Sequence, residues 1–87
     1  YGAGHNKLIF IITSKGEKLA SKITAEAGRG LTVLSVKGGY TGEEKSLLLC
    51  AARANEATFI NKIIKEADPL AFTVIAEAGD VFGEGFG

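Results

Sequence analysis

The densest set of residues able to hold a ligand is the run Lys37-Gly38-Gly39-Tyr40-Thr41-Gly42. Glycine permits positive φ and close approach of the backbone, so the amides of this run could cradle an anion. Tyr40 offers a ring to stack on a base or another planar group. Lys37, with Lys15 and Lys45 from elsewhere in the chain, offers charge to neutralise a phosphate. The plainer reading is a hairpin loop whose glycines serve turn geometry alone. The run lacks the glycine-lysine-serine ending of a P-loop.

Other reactive side chains are few. Arg29 lies between Gly28 and Gly30, with an exposed backbone and a freely aimed guanidinium; it either binds an anionic ligand or pairs with Asp80 or Glu84 of the tail. Cys50 sits among leucines and reads as a small buried hydrophobe. His5 belongs to a glycine-rich lead and reads as solvated. Nucleophilic catalysis needs a base, and the single histidine lies in that lead, so no enzyme activity, catalytic residue or cofactor is expected. No metal is expected either, because a heavy-metal domain would place two cysteines where Thr13-Ser14-Lys15 stands.

Composition narrows the classes further. The chain has 87 residues, 46% of them hydrophobic and 23% charged, which suits one small globular domain rather than disorder. Ten basic residues balance ten acidic ones, so no net field draws in nucleic acid or anionic lipid. One cysteine suits a reducing compartment. The longest apolar run, Leu47 to Ala52, is far short of the roughly 20 residues of a membrane helix, and no secretion signal opens the chain. A soluble domain is expected.

The elements that position these residues follow from apolar runs and their punctuation. Lys7 to Thr13 reads as a strand, β-branched and apolar on both faces. Ser14 with Glu17 reads as a capping box opening a helix to Ala27, with Leu19, Ala20, Ile23 and Ala27 as its stripe and Gly28 or Gly30 as its stop. Strands follow over Leu31 to Lys37 and Lys45 to Ala52. Arg53-Ala54-Asn55 turns the chain, Asn55 is a plausible cap, and a second helix runs to about Ala67 before Asp68-Pro69 ends it. Ala71 to Glu77 is the last strand, and a glycine-rich tail follows, whose Val81, Phe82 and Phe86 are expected to pack on a groove or a neighbouring subunit. Residues 1–6 read as linker and 7–87 as one domain.

The order β-α-β-β-α-β is that of an α+β, ferredoxin-like two-layer sandwich with an antiparallel sheet in order 4-1-3-2. Both helices then lie on one face. The central strands are apolar on both sides, so the other face exposes more than the ~400 Å² of apolar surface that soluble monomers tolerate. Covering it is worth on the order of several kcal/mol per subunit, and a homo-oligomer is expected. Tracing strand direction gathers Thr13 to Gly16, Lys37 to Lys45 and Asp68-Pro69 at one end. Arg29 falls at the other, roughly 23 Å away. RNA-binding domains share this topology but stack bases on aromatics of the first and third strands, and the third strand here has none.

Four short motifs then carry a family resemblance: Gly28-Arg29-Gly30-Leu31-Thr32, Gly39-Tyr40-Thr41-Gly42, Asp68-Pro69-Leu70-Ala71-Phe72, and Asp80-Val81-Phe82-Gly83-Glu84-Gly85-Phe86. In this order, from about Lys7 to Phe86, the chain resembles the C-terminal domain of unknown function of YitT-type bacterial membrane proteins. That resemblance implies a cytoplasmic module following transmembrane helices, with the membrane part of its own parent protein as a partner. More distantly the strand pattern is similar to PII-type signalling proteins and related cyclic di-AMP receptors. These imply a trimer with nucleotides bound between subunits beside the loop after the second strand; the loop here is much shorter than that of PII proteins.

The expectation is therefore a non-catalytic regulatory or ligand-sensing domain at the cytoplasmic side of an inner membrane. It would bind a small anionic ligand, a nucleotide first among them, at a subunit interface through Lys37, Gly38, Gly39, Tyr40, Thr41 and Lys15. Arg29, Asp80, Glu84 and Phe86 would serve a secondary site or an interface. The alternatives are a structural oligomerisation module without ligand and an ACT-type amino-acid-binding domain.

Overall fold

The computed structural model describes residues 5–83. The elements are β1 (Asn6–Thr13), α1 (Gly16–Ala27), β2 (Thr32–Lys37), β3 (Glu44–Arg53), α2 (Ala54–Ala67) and β4 (Phe72–Glu77). They form one antiparallel sheet in the order β2-β3-β1-β4, the expected ferredoxin-like arrangement. β1 begins at Asn6, whose buried side chain donates from Nδ2 to the Gly79 carbonyl at 2.7 Å. The Ala54 amide donates to the carbonyl of His5.

Both helices pack against each other and on one face of the sheet. Ile9 and Ile11 of β1, Leu48, Cys50 and Ala52 of β3, Leu19 and Ile23 of α1, and Ile60, Ile63 and Ile64 of α2 make the core. A fully buried leucine or isoleucine contributes roughly 1.5–3 kcal/mol, so this layer holds the chain together. α1 stops at Gly28, which takes φ 66° and donates its amide to the Thr24 carbonyl, a left-handed cap that a side chain would strain.

The helix starts differ from the sequence reading. Ser14 and Glu17 do not form a capping box: the position before α1 is Lys15, without a side-chain cap. The reason is Thr13, whose hydroxyl takes the Lys15 amide at 2.9 Å and bends the chain before Ser14 can cap it. Asn55 does not cap α2. The helix begins at Ala54, and Glu56 reaches back to accept from the Arg53 amide at 2.8 Å, one half of a capping box.

The other sheet face carries Leu8, Phe10 and Ile12 of β1 and Leu47, Leu49 and Ala51 of β3, side by side in register. Thr32, Leu34 and Val36 of β2 extend it on one side, and Phe72, Val74 and Ala76 of β4 on the other. No helix of the described residues covers it. Phe72 is 63% exposed and Leu34 and Val74 about two-fifths, while the central strands shelter one another in part.

Candidate functional site

The register brings the glycine loop, the β1–α1 turn and the α2–β4 turn to one end of the sheet. Lys37 pairs with Glu44, Thr13 with Ser46, and Ile12 with Phe72. Within the loop the Gly38 amide donates to the Glu43 carbonyl at 2.8 Å and the Gly42 amide to the Gly38 carbonyl at 2.9 Å. Thr41 Oγ1 accepts from the Glu43 amide at 3.2 Å. The loop is thus a closed turn, and the amides of Gly39, Tyr40 and Thr41 take no part in its bonds. Gly42 needs its glycine, at φ 75°. Tyr40 is wholly exposed, with its ring free to stack. Lys37 and Lys15 are exposed at the same end.

Beneath the loops lies a rigid support. Thr13, 1% exposed, donates from Oγ1 to Asp68 Oδ2 at 2.5 Å, and the Leu70 amide donates to Asp68 Oδ1 at 3.1 Å. The Thr13 hydroxyl above all, with the Leu70 amide and the charges of Lys15 and Lys45, holds the Asp68 carboxyl below its ordinary pKa against the opposing effect of burial. One carboxylate therefore ties the turn after α2 to the end of β1 and orients the start of α1. Gly16 completes the support. A Cβ there would stand 2.3 Å from Ser46 Oγ, so only glycine lets α1 approach β3 so closely.

Two depressions flank this end on the helix side. Ser14, Ser35, Glu44, Lys45 and Ser46 line a cleft of about 260 Å³ beside β2. Lys45 in it is 3.7 Å from Glu43. A larger groove, about 570 Å³, runs between α2 and β4 and is lined by residues that include Asn61, Lys65, Asp68, Thr73 and Ile75. Sequence reasoning missed both. Ser35 and Ser46 were the available signal, since they are polar at strand positions that alternate onto the helix face.

Arg29 belongs to the opposite end. Its Nε lies 3.5 Å from Glu56 Oε1, the carboxylate that accepts from the Arg53 amide. The sequence reading looked to Asp80 or Glu84 for a partner of Arg29 and did not name Glu56. Asp80 is exposed on the tail, and Glu84 and Phe86 lie outside the described residues. Arg29 and Tyr40 sit at opposite ends of the sheet, as strand direction implies. Cys50 is buried, and its burial pushes the thiol pKa up, which suits the small hydrophobe expected there. Among the described residues no group of three or more His, Cys, Asp or Glu side chains is placed to hold a metal, and no helix is long and apolar enough to cross a membrane.

Comparison with known proteins adds the following. A family model described as "Uncharacterized protein conserved in bacteria (DUF2179)" matches residues 29–83. The chain is 40% identical over 85 residues to an uncharacterized protein in the cccA 5′ region of Bacillus sp. (strain PS3), a match covering 98% of this chain and 57% of that protein. It is 34% identical over 85 residues to the UPF0750 membrane protein YvjA of Bacillus subtilis (strain 168), covering 98% of this chain and 30% of YvjA. The membrane protein YitT of the same organism is 35% identical over 80 residues, covering 91% of this chain and 29% of YitT. The chain thus spans about a third to somewhat over half of these relatives. The crystal structure of a DUF2179 protein from Eubacterium ventriosum superposes with TM-score 0.68 at 25% identity, over 82% of this chain and 97% of that one. CPII from Thiomonas intermedia K12, bound to ADP, AMP and acetate, superposes with TM-score 0.69 at 11% identity, over 90% of this chain and 89% of that one. The second likeness is one of fold.

Proposed function

The chain belongs to the DUF2179 family of bacterial proteins, and from that premise we propose that it is a non-catalytic regulatory domain of a membrane protein, assembled into a homo-oligomer and sensing a small anionic ligand. Membership of the YitT-type relatives and a PII-like fold fit a regulatory domain attached to a membrane part. The domain would lie at the cytoplasmic side, and ligand binding would bias the attached membrane segment by favouring one arrangement of subunits.

The observation that carries this reading is the uncovered apolar face, built from all four strands. A patch of that kind marks an interaction surface, and a second copy presents the same surface in return. The ligand is assigned to the polar end, where the loop amides, Tyr40, Lys37 and Lys15 converge. Nucleotides are the first ligands to try, because the CPII neighbour is a protein bound to ADP and AMP. A structural module without ligand is the second reading. It is favoured by the loop's use of the Gly38, Gly42 and Glu43 amides within itself.

Thermal unfolding with nucleotides, cyclic dinucleotides and amino acids separates the readings. A ligand at 100 times its Kd stabilises by about 2.7 kcal/mol. Sensing predicts such a shift with a nucleotide, its loss in Tyr40→Ala and Gly39→Ala, and unchanged mass in solution. A Cβ at Gly39 meets nothing within 4 Å, so that variant is expected to keep the fold. No shift with any compound supports the structural module, and protection by amino acids alone supports an ACT-type domain.

A further inference from the structure

The groove between α2 and β4 arises from a mismatch between the two layers. Thr73 and Ile75 of β4 stand in register with the core residues Ile11 and Ile9, so they point to the helix side. α2 packs over β1 and β3 rather than over β4, which leaves Ile75 41% exposed on that side. From the helix, Asn61, Ile64, Lys65 and Asp68 fall at spacings of three and four residues and so share one face. Together these residues wall a volume of about 570 Å³, within the range of about 300–1,000 Å³ usual for small-molecule sites.

The lining divides by chemistry. Ile64, Ala71 and Ile75 make its apolar part. The side chains of Asn61, Lys65 and Thr73 make no hydrogen bond or ion pair with another described residue, so an amide, an ammonium and a hydroxyl remain for a ligand. Asp68 differs from them. The Thr13 hydroxyl and the Leu70 amide each take one of its oxygens, and it is 4% exposed. We propose that this groove binds a small monocarboxylic acid with a compact apolar body. Lys65 supplies the charge. Asn61, one helical turn before it on the same face, donates to the second carboxylate oxygen, and the Thr73 hydroxyl approaches from the strand. The apolar body covers Ile75 and Ala71, and the area it removes from water drives binding. One cation suits one negative charge rather than the several of a nucleotide's phosphates, and the Asp68 carboxylate in the wall opposes any more. An ammonium ligand would meet Lys65 with no free carboxylate to offset it.

This site is separate from the glycine loop. β3 and β1 lie between β2 and β4, which sets the groove about 14 Å across the sheet from β2. It is also on the helix side, so copies joined through the open apolar face leave it accessible. Asp68 at its end holds Thr13, and Thr13 holds the Lys15 amide. An occupant of the groove therefore abuts the support of the loop end.

Titration of the isotope-labelled chain with phenylacetate, followed by proton–nitrogen NMR, tests the assignment. Saturable shifts are expected in the Asn61 side-chain amide and in the backbone amides of Lys65, Thr73 and Ile75. Leu34 and Leu49, on the open face, are expected to stay unmoved. Lys65 is exposed, so Lys65→Gln keeps the fold, which the rest of its spectrum checks. That variant is expected to raise the phenylacetate Kd roughly tenfold, the worth of one charge-assisted hydrogen bond. Phenethylamine, with a similar body and the opposite charge, is expected to cause no saturable shift. Three results overturn the site: no saturable shift with either phenylacetate or isovalerate, shifts confined to the open face, or a phenylacetate Kd that Lys65→Gln leaves unchanged.

Discussion

The two faces of the sheet are built from alternate residues of the same strands and have opposite fates. Ile9 and Ile11 of β1 are wholly buried under the helices, while Leu8, Phe10 and Ile12, which alternate with them, stay partly open to water. On β3 the same split separates Leu48 and Cys50 from Leu47 and Leu49. The side chains are of one kind, so hydrophobicity alone does not distinguish a core from a contact surface; the layer laid over it does. On one face that layer is the chain's own pair of helices. On the other, by our account, it is another copy of the chain.

Substitution at neighbouring positions should expose this difference most strongly. Ile11→Ala is expected to cost about 2–5 kcal/mol of folding stability, read by urea unfolding and independent of protein concentration. Ile12→Ala, one residue on and on the other face, should weaken only that part of the stability that rises with concentration. Equal, concentration-independent losses at both would erase the contrast.

Gly16→Ala is next in size. Its Cβ would press on Ser46, and overpacking of this kind costs roughly 1–3 kcal/mol, visible as a lower Tm. Thr13→Val removes the donor from Asp68 Oδ2 and should cost about 1–3 kcal/mol at neutral pH. The Asp68 pKa is lowered in the folded chain, so its contribution is full above the ordinary carboxylate value near 4 and fades as pH falls through the folded value. Urea unfolding of wild type and Thr13→Val should therefore converge in acid, and a gap that persists there would show the cost to be packing. The smallest effect is expected at Tyr40→Ala, within about 0.5 kcal/mol of wild type, because the ring touches nothing that holds the fold.

The fold was legible because its signals are local. Four apolar runs, two helical stripes, Gly28 and Asp68-Pro69 were enough to order the elements, and strand direction alone put the Lys15, Lys37 to Thr41 and Asp68 segments at one end. The motifs that resembled YitT-type domains all overlap the matched family region, residues 29–83. What was misread depended on contacts between distant residues. Ser14 has the spacing of a cap, yet Thr13 takes the amide at the turn and is itself held by Asp68. Glu56 went unnamed as a partner of Arg29, because its approach follows from the packing of α2 beside the end of α1. Nothing in the sequence explained Gly16, whose reason only the approach of α1 to Ser46 supplies. The serine cleft was hidden because its members come from the β1–α1 turn and two different strands.

The central claim is that the uncovered face is an interface, and mass in solution tests it most directly. Sedimentation equilibrium across the micromolar range should give wild type a mass that is a multiple of the 9.1 kDa chain, while Leu49→Glu sediments as a single chain with an unchanged circular dichroism spectrum. A wild-type chain that remains at 9.1 kDa throughout would contradict the account.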